Sequence, residues 1–187
     1  MIRALRRLLS VPDKLAMFGL VRGMSAQVQL EIVSALKRSE VLPHLEGSAS
    51  IEELVVATGI QAPEVLRHLL DLGVRRRVLR CRQGRYSARS RLARCIARAA
   101  DGPVAAMVEE VTTYHQEVFR RLPERLSGET PRDYLSRYGS LVAQSSRIMA
   151  PWIQAFSGRV IGRDRGRRIL ELGCGSGAYL AFYAGLH

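Results

Sequence analysis

The chain has 187 residues, a length that suits one ordinary domain or a small domain with a piece of another. Apolar residues make up 47% and charged residues 25%, which allows a packed core and excludes a wholly disordered chain. The formal charge is +12, yet of the 29 basic residues only Lys14 and Lys37 are lysines; so strong an arginine skew can come from a GC-rich genome as well as from a polyanionic partner, and it does not by itself mark a nucleic-acid binder.

Cys81, Cys95 and Cys174 are odd in number and irregular in spacing. No CxxC occurs and no His/Cys cluster has zinc spacing, so neither a disulfide framework nor a metal site is expected, and a reducing, cytoplasmic setting is the default. The opening MIRALRRLLSVPDK is basic but has no long apolar run, and Pro12 and Asp13 interrupt it. The expectation is a first docking helix, with a weak interfacial helix as the alternative, and no signal peptide or membrane span.

Residues 26–45 are predicted to be helical, because Leu30, Val33, Leu36 and Val41 recur at helical spacing up to the break at Gly47. Ser50-Ile51-Glu52-Glu53 has the capping-box form and starts a short helix that Thr58-Gly59 stops. Pro63 suits the first turn of a third helix, which should end at Gly73. Two extended stretches, 74–80 and 85–87, flank the turn candidate Gln83-Gly84. Helix, helix, helix and hairpin is the order of a winged helix, here over about 26–90.

Two longer helices are expected next, over 103–122 and 131–156, with a kink or break at Pro151. Residues 157–168 are rich in Gly and Arg and are predicted to be a linker. Then Arg168-Ile169-Leu170-Glu171-Leu172 is a short apolar strand by pattern, Gly173-Cys174-Gly175-Ser176-Gly177 a turn, and 178–184 a helix. The fold class expected is mainly α. The domains are 1–90, an N-terminal helix and winged helix; 91–160, linking helices; and 161–187, the first β-turn-α of a truncated Rossmann-like α/β domain.

Strand, glycine turn and helix open a nucleotide-binding fold. Gly173 and Gly175 can take angles that a side chain forbids, and without a Cβ they let a ligand lie against the main chain. Gly177 would let the new helix pack close to its strand. A dinucleotide fold needs G-x-G-x-x-G, whereas this spacing is G-x-G-x-G with Glu171 two residues ahead. The string RILELGCGSG resembles the first motif of class I S-adenosylmethionine-dependent methyltransferases. That resemblance implies S-adenosyl-L-methionine as cofactor, with Glu171, Gly173, Cys174, Gly175, Ser176 and Gly177 at its aminoacyl and ribose parts. Glu171 would orient the aminoacyl end, and Cys174 would contribute only its backbone.

The segments before the motif strengthen the likeness. SIEELVVATGIQAPEVLRHLLDLGV and GRYS resemble the winged-helix core of small-molecule O-methyltransferases, whose N-terminal domain pairs subunits. The resemblance covers the chain from about Ala26 onward. It implies methyl transfer to a small-molecule acceptor, at oxygen first and at nitrogen or carbon as alternatives, in a homodimer. The helices before the catalytic domain would wall the acceptor pocket, making Met149, Trp152, His115 and Phe119, with Tyr114, its candidates; each taken singly is more often core. The family's base lies well downstream of the glycine motif, so His115 does not match it and no catalytic residue is assigned.

Ten residues follow Gly177. The family's ribose-binding acid would fall ~20 residues past the glycine turn. The segment given therefore corresponds to the front part of such an enzyme. Alone it is expected to be inactive and to bind S-adenosylmethionine weakly or not at all. Two other functions stay open. Between Arg75 and Arg98 there are ten arginines and no acidic residue, with Arg75, Arg76, Arg77, Arg80, Arg82 and Arg85 on the hairpin and its lead-in. A DNA-binding winged-helix regulator could hold phosphates there, although Glu64 and Asp71 on the third helix and the want of base-reading Asn and Gln argue against sequence-specific reading, and a solvated basic face is the usual reason for such a run. The remaining alternative is a catalytically dead dimerisation module.

Overall fold

In a computed structural model the chain is described at residues 13–130, 132–161, 168–175 and 177–185. It is mainly helical, with one two-stranded antiparallel sheet among the described residues. Two compact units divide it, Met1–Arg94 and Cys95–His187.

The first unit opens with α1, Lys14–Arg38, which begins well before Ala26. The break comes earlier than Gly47: Glu40 adopts φ 58, and a short α2, Val41–His44, follows. Helix α3, Ile51–Thr58, starts on the reciprocal capping box expected at Ser50 and Glu53 and ends at Gly59, φ 68. Helix α4, Pro63–Arg75, runs through Gly73 instead of stopping there. Its stop is a Schellman closure on Arg77, φ 59, in which Val78 N–H bonds the Gly73 carbonyl at 2.9 Å and Arg77 N–H that of Val74 at 3.0 Å. Gly73 serves packing: a Cβ there would lie 3.0 Å from the Leu79 side chain.

Strands β1, Leu79–Arg82, and β2, Arg85–Ala88, are shorter than expected, since Val74 and Arg75 belong to α4. They pair with Arg82 opposite Arg85 around Gln83-Gly84, whose φ values of 51 and 74 make the primed turn that matches strand twist. Ala49 bridges the free edge of β2 at Tyr86. Leu36, Leu42, Leu45, Leu54, Leu70 and Leu79 are fully buried and form this unit's core. Burying each contributes about 1.5–3 kcal/mol. Helix α5, Arg91–Arg98, which the sequence pattern did not suggest, spans the boundary of the two units.

In the second unit, Pro103 occupies the first turn of α6, Pro103–Glu110. A π-helical stretch, Val111–His115, leads into α7, Gln116–Arg120, and α8 follows at Leu122–Leu126. Within the π-helical stretch the Thr112 and Thr113 hydroxyls bond back to the carbonyls of Val108 and Glu109 at 2.8 and 2.6 Å, a competition that disturbs regular helical pairing. Helix α9, Tyr134–Ser146, packs on α6; Pro131 lies outside the described residues. The break expected at Pro151 falls just before it, as a 3-10 turn at Arg147–Met149, after which α10 runs Ala150–Ile161 with Pro151 in its first turn. Ser157–Ile161 are therefore helical, not linker, and 162–167 lie outside the described residues.

The Arg168–Leu172 segment forms no strand. A strand needs a neighbour to take its backbone bonds, and none is paired with it among the described residues. Leu170 and Leu172 stay exposed. The last element is α11, Ala178–Ala184. Among the described residues no helix is long and apolar enough to cross a membrane.

Candidate functional site

The glycine turn has the backbone that its residues allow and others resist. Gly173, Gly175 and Gly177 all lie in the left-handed region, at φ 73, 53 and 70. Gly177 N–H closes the turn on the Cys174 carbonyl at 2.8 Å. Open space faces Gly173, whereas a Cβ on Gly175 would touch Ala143 of α9 at 3.9 Å. Gly177 caps α11, but a Cβ there would meet nothing. Its glycine meets a φ requirement, not the close helix–strand packing expected from the sequence. Ser176 lies outside the described residues.

Helix α10 contacts α11, the helix that follows the turn. Ser157 and Tyr183 share a hydroxyl–hydroxyl hydrogen bond of 3.0 Å. Between the turn and the 3-10 break lies a cavity of about 270 Å³, lined by Arg147, Met149 and Ile153 on one side and by Gly173, Cys174, Gly175 and Tyr179 on the other. It is at the lower edge of the ~300–1,000 Å³ typical of ligand pockets. Arg147 is the one charged residue in that lining.

Glu171 carries the most informative single atom. Its Oε2 is buried and has no hydrogen-bond partner among the described residues. A buried carboxylate oxygen without a donor costs desolvation that nothing among the described residues returns.

The structure therefore brings Met149, Gly173, Cys174 and Gly175 to one cavity, with Glu171 directly before the turn. It does not bring the other expected wall residues there. Trp152 and Phe119 are largely exposed, and neither lines the cavity. His115 instead sets its Nε2 3.2 Å from the buried Glu110, which also accepts the Ser145 hydroxyl. Tyr114 stacks among His115, Tyr134 and Tyr138 at 5.2–5.9 Å between centroids. These contacts account for both residues as packing and polar pairing. Arg147, Ile153 and Tyr179 were not singled out from sequence; the first two flank Met149 in RIMAPWI and could have been found only by knowing that the helix breaks there.

A second, wider groove of about 530 Å³ runs along α7 between Thr113, Gln116, Glu117, Arg120 and Arg121. Part of its charge is already engaged. Glu117 accepts from the Tyr138 hydroxyl at 2.5 Å and from Arg137 at 3.1 Å. The tyrosine hydrogen bond, with the arginines around it, holds the Glu117 carboxyl below the usual range, and the same bond raises Tyr138. Among the described residues no three His, Cys, Asp or Glu side chains gather as a metal site. Cys81, Cys95 and Cys174 are free and exposed. No protein-family model and no curated protein matches this chain.

Proposed function

We propose that the chain is the front part of a class I S-adenosylmethionine-dependent methyltransferase acting on a small molecule, with Glu171–Gly177 as its cofactor loop. In this reading residues 26–90 are a winged helix that pairs subunits, and 168–185 open a Rossmann-like domain. The observation that carries it is the buried Glu171 Oε2, without a partner among the described residues, immediately before three left-handed glycines. A cationic amino group on a ligand supplies the donor that oxygen lacks. Gly173 and Gly175 leave the main chain open to contact.

Bound S-adenosylmethionine would supply an electrophilic methyl group on sulfur. The residues of this chain do the holding. Glu171 accepts hydrogen bonds from the aminoacyl end. The turn offers backbone to the neighbouring atoms, and Met149, Ile153 and Tyr179 keep water from one side. Methyl transfer needs mainly alignment of nucleophile and methyl carbon. The cavity is too small to enclose a whole nucleoside with its amino-acid tail, which agrees with weak binding.

Titration of the labelled chain with S-adenosylhomocysteine, followed by amide shifts, tests this. Saturable shifts centred on Gly173 and Gly175, absent in Gly175→Val, are expected. Shifts centred away from the turn, or unchanged in Gly175→Val, would contradict the proposal.

A further inference from the structure

All ten arginines between Arg75 and Arg98 are exposed, and two of the hairpin's three have defined tasks. Arg85 grips Glu53 with two bonds of 2.9 and 2.8 Å and also donates to the Ser48 carbonyl at 2.8 Å. Arg80 donates through Nε to Ser87 at 2.8 Å. Arg82 has no such partner among the described residues, nor do Arg75, Arg76 and Arg77 at the end of α4, nor Arg89 just past β2.

The arrangement works against the fold. Arg82 sits directly opposite Arg85 across the turn, a like-charge pair that destabilises a hairpin. Alternation puts Arg80 on that same face. Arg77 holds a left-handed conformation usually left to glycine. From Val74 to Arg94 no large apolar side chain is among the exposed ones, and the one aromatic there, Tyr86, is buried with its hydroxyl on Asp71. The surface thus offers guanidinium groups with nothing to insert into a bilayer and nothing to stack on an unpaired base. Regularly spaced duplex phosphates fit that chemistry. Glu64 and Asp71 on α4 leave no cationic reading helix beside it, so the contact is to backbone and not to base edges.

We propose that the β1–β2 hairpin, with the end of α4 and Arg89, binds the phosphate backbone of duplex nucleic acid without sequence preference. This surface lies in the first unit and does not depend on the glycine turn or on the cofactor reading.

Fluorescence anisotropy with a labelled random-sequence duplex tests it, on the whole chain. With about four phosphates neutralised, affinity should fall roughly 100-fold between 50 and 200 mM salt. The triple variant Arg75→Gln, Arg82→Gln, Arg89→Gln should lose most binding and flatten the salt slope by about 3. A control with the same charge removed elsewhere, Arg22→Gln, Arg120→Gln, Arg159→Gln, should keep it, and circular dichroism checks that both fold. No binding at low salt would overturn the proposal, as would equal loss in both triples, which would mean that net charge alone is responsible. Tighter binding to phosphatidylserine vesicles than to duplex at the same salt would overturn it in favour of a membrane.

Discussion

Tyr86 donates a hydrogen bond from its hydroxyl to Asp71 at 2.8 Å from a site where the ring is buried. Burial, then the hydrogen bond and charge of Asp71, push its pKa up to about 12. The folded value lies above that of the unfolded chain, so this contribution to stability is fully present below about pH 10 and is lost as pH rises through about 12. Absorbance titration should show Tyr86 ionising last, with Tyr138 also delayed by its bond to Glu117, and Tyr86→Phe should remove the last step. The variant should also cost about 1–2 kcal/mol in denaturant unfolding, because Asp71 loses its donor. Unchanged stability would mean that water satisfies Asp71 equally well. At the candidate site, the three turn glycines and Glu171 were legible because their roles are local: a left-handed φ and an oxygen next to it in sequence. Arg147 and Ile153 were not, since they reach the cavity through the break between α9 and α10, and Tyr179 carries no mark in the sequence that sets it apart.

At the scale of elements, starts were easier to read than stops. The Ser50–Glu53 capping box and Pro63 and Pro103 in first turns act through side chains within one turn of the boundary. The ends at Glu40 and Arg77 use left-handed residues that carry no such signature. Gly73 misled for a physical reason: in the last turn of α4 it admits Leu79, which is fully buried and cannot swing away. Gly73→Ala should therefore destabilise by about 1 kcal/mol, as ~1–3 kcal/mol of overpacking exceeds the ~1 kcal/mol that alanine gains in helix propensity. A thermal melt shifted upward would show that Leu79 repacks freely. The apolar 168–172 segment has the pattern of a strand but not the partner strand, and pairing is a property that no single segment contains.

For the whole molecule, a mainly helical chain with one short hairpin was readable from periodicity and turn chemistry. What covers its exposed apolar surface was not. The first half of α1 leaves Leu15, Phe18, Leu20 and Val21 open, Phe18 at 63%, and a second copy is the partner proposed. Sedimentation should find a dimer that Phe18→Glu weakens; a wild-type monomer at every concentration would contradict the subunit-pairing role. The central claim is the cofactor loop, and the most direct measurement is ultraviolet crosslinking of methyl-labelled S-adenosylmethionine followed by tryptic mapping. No Lys or Arg follows Arg168, so the whole turn and α11 travel in one peptide beginning at Ile169. Label on that peptide, displaced by unlabelled S-adenosylhomocysteine, is the predicted result. Label spread over other peptides, or not displaced, would contradict the account.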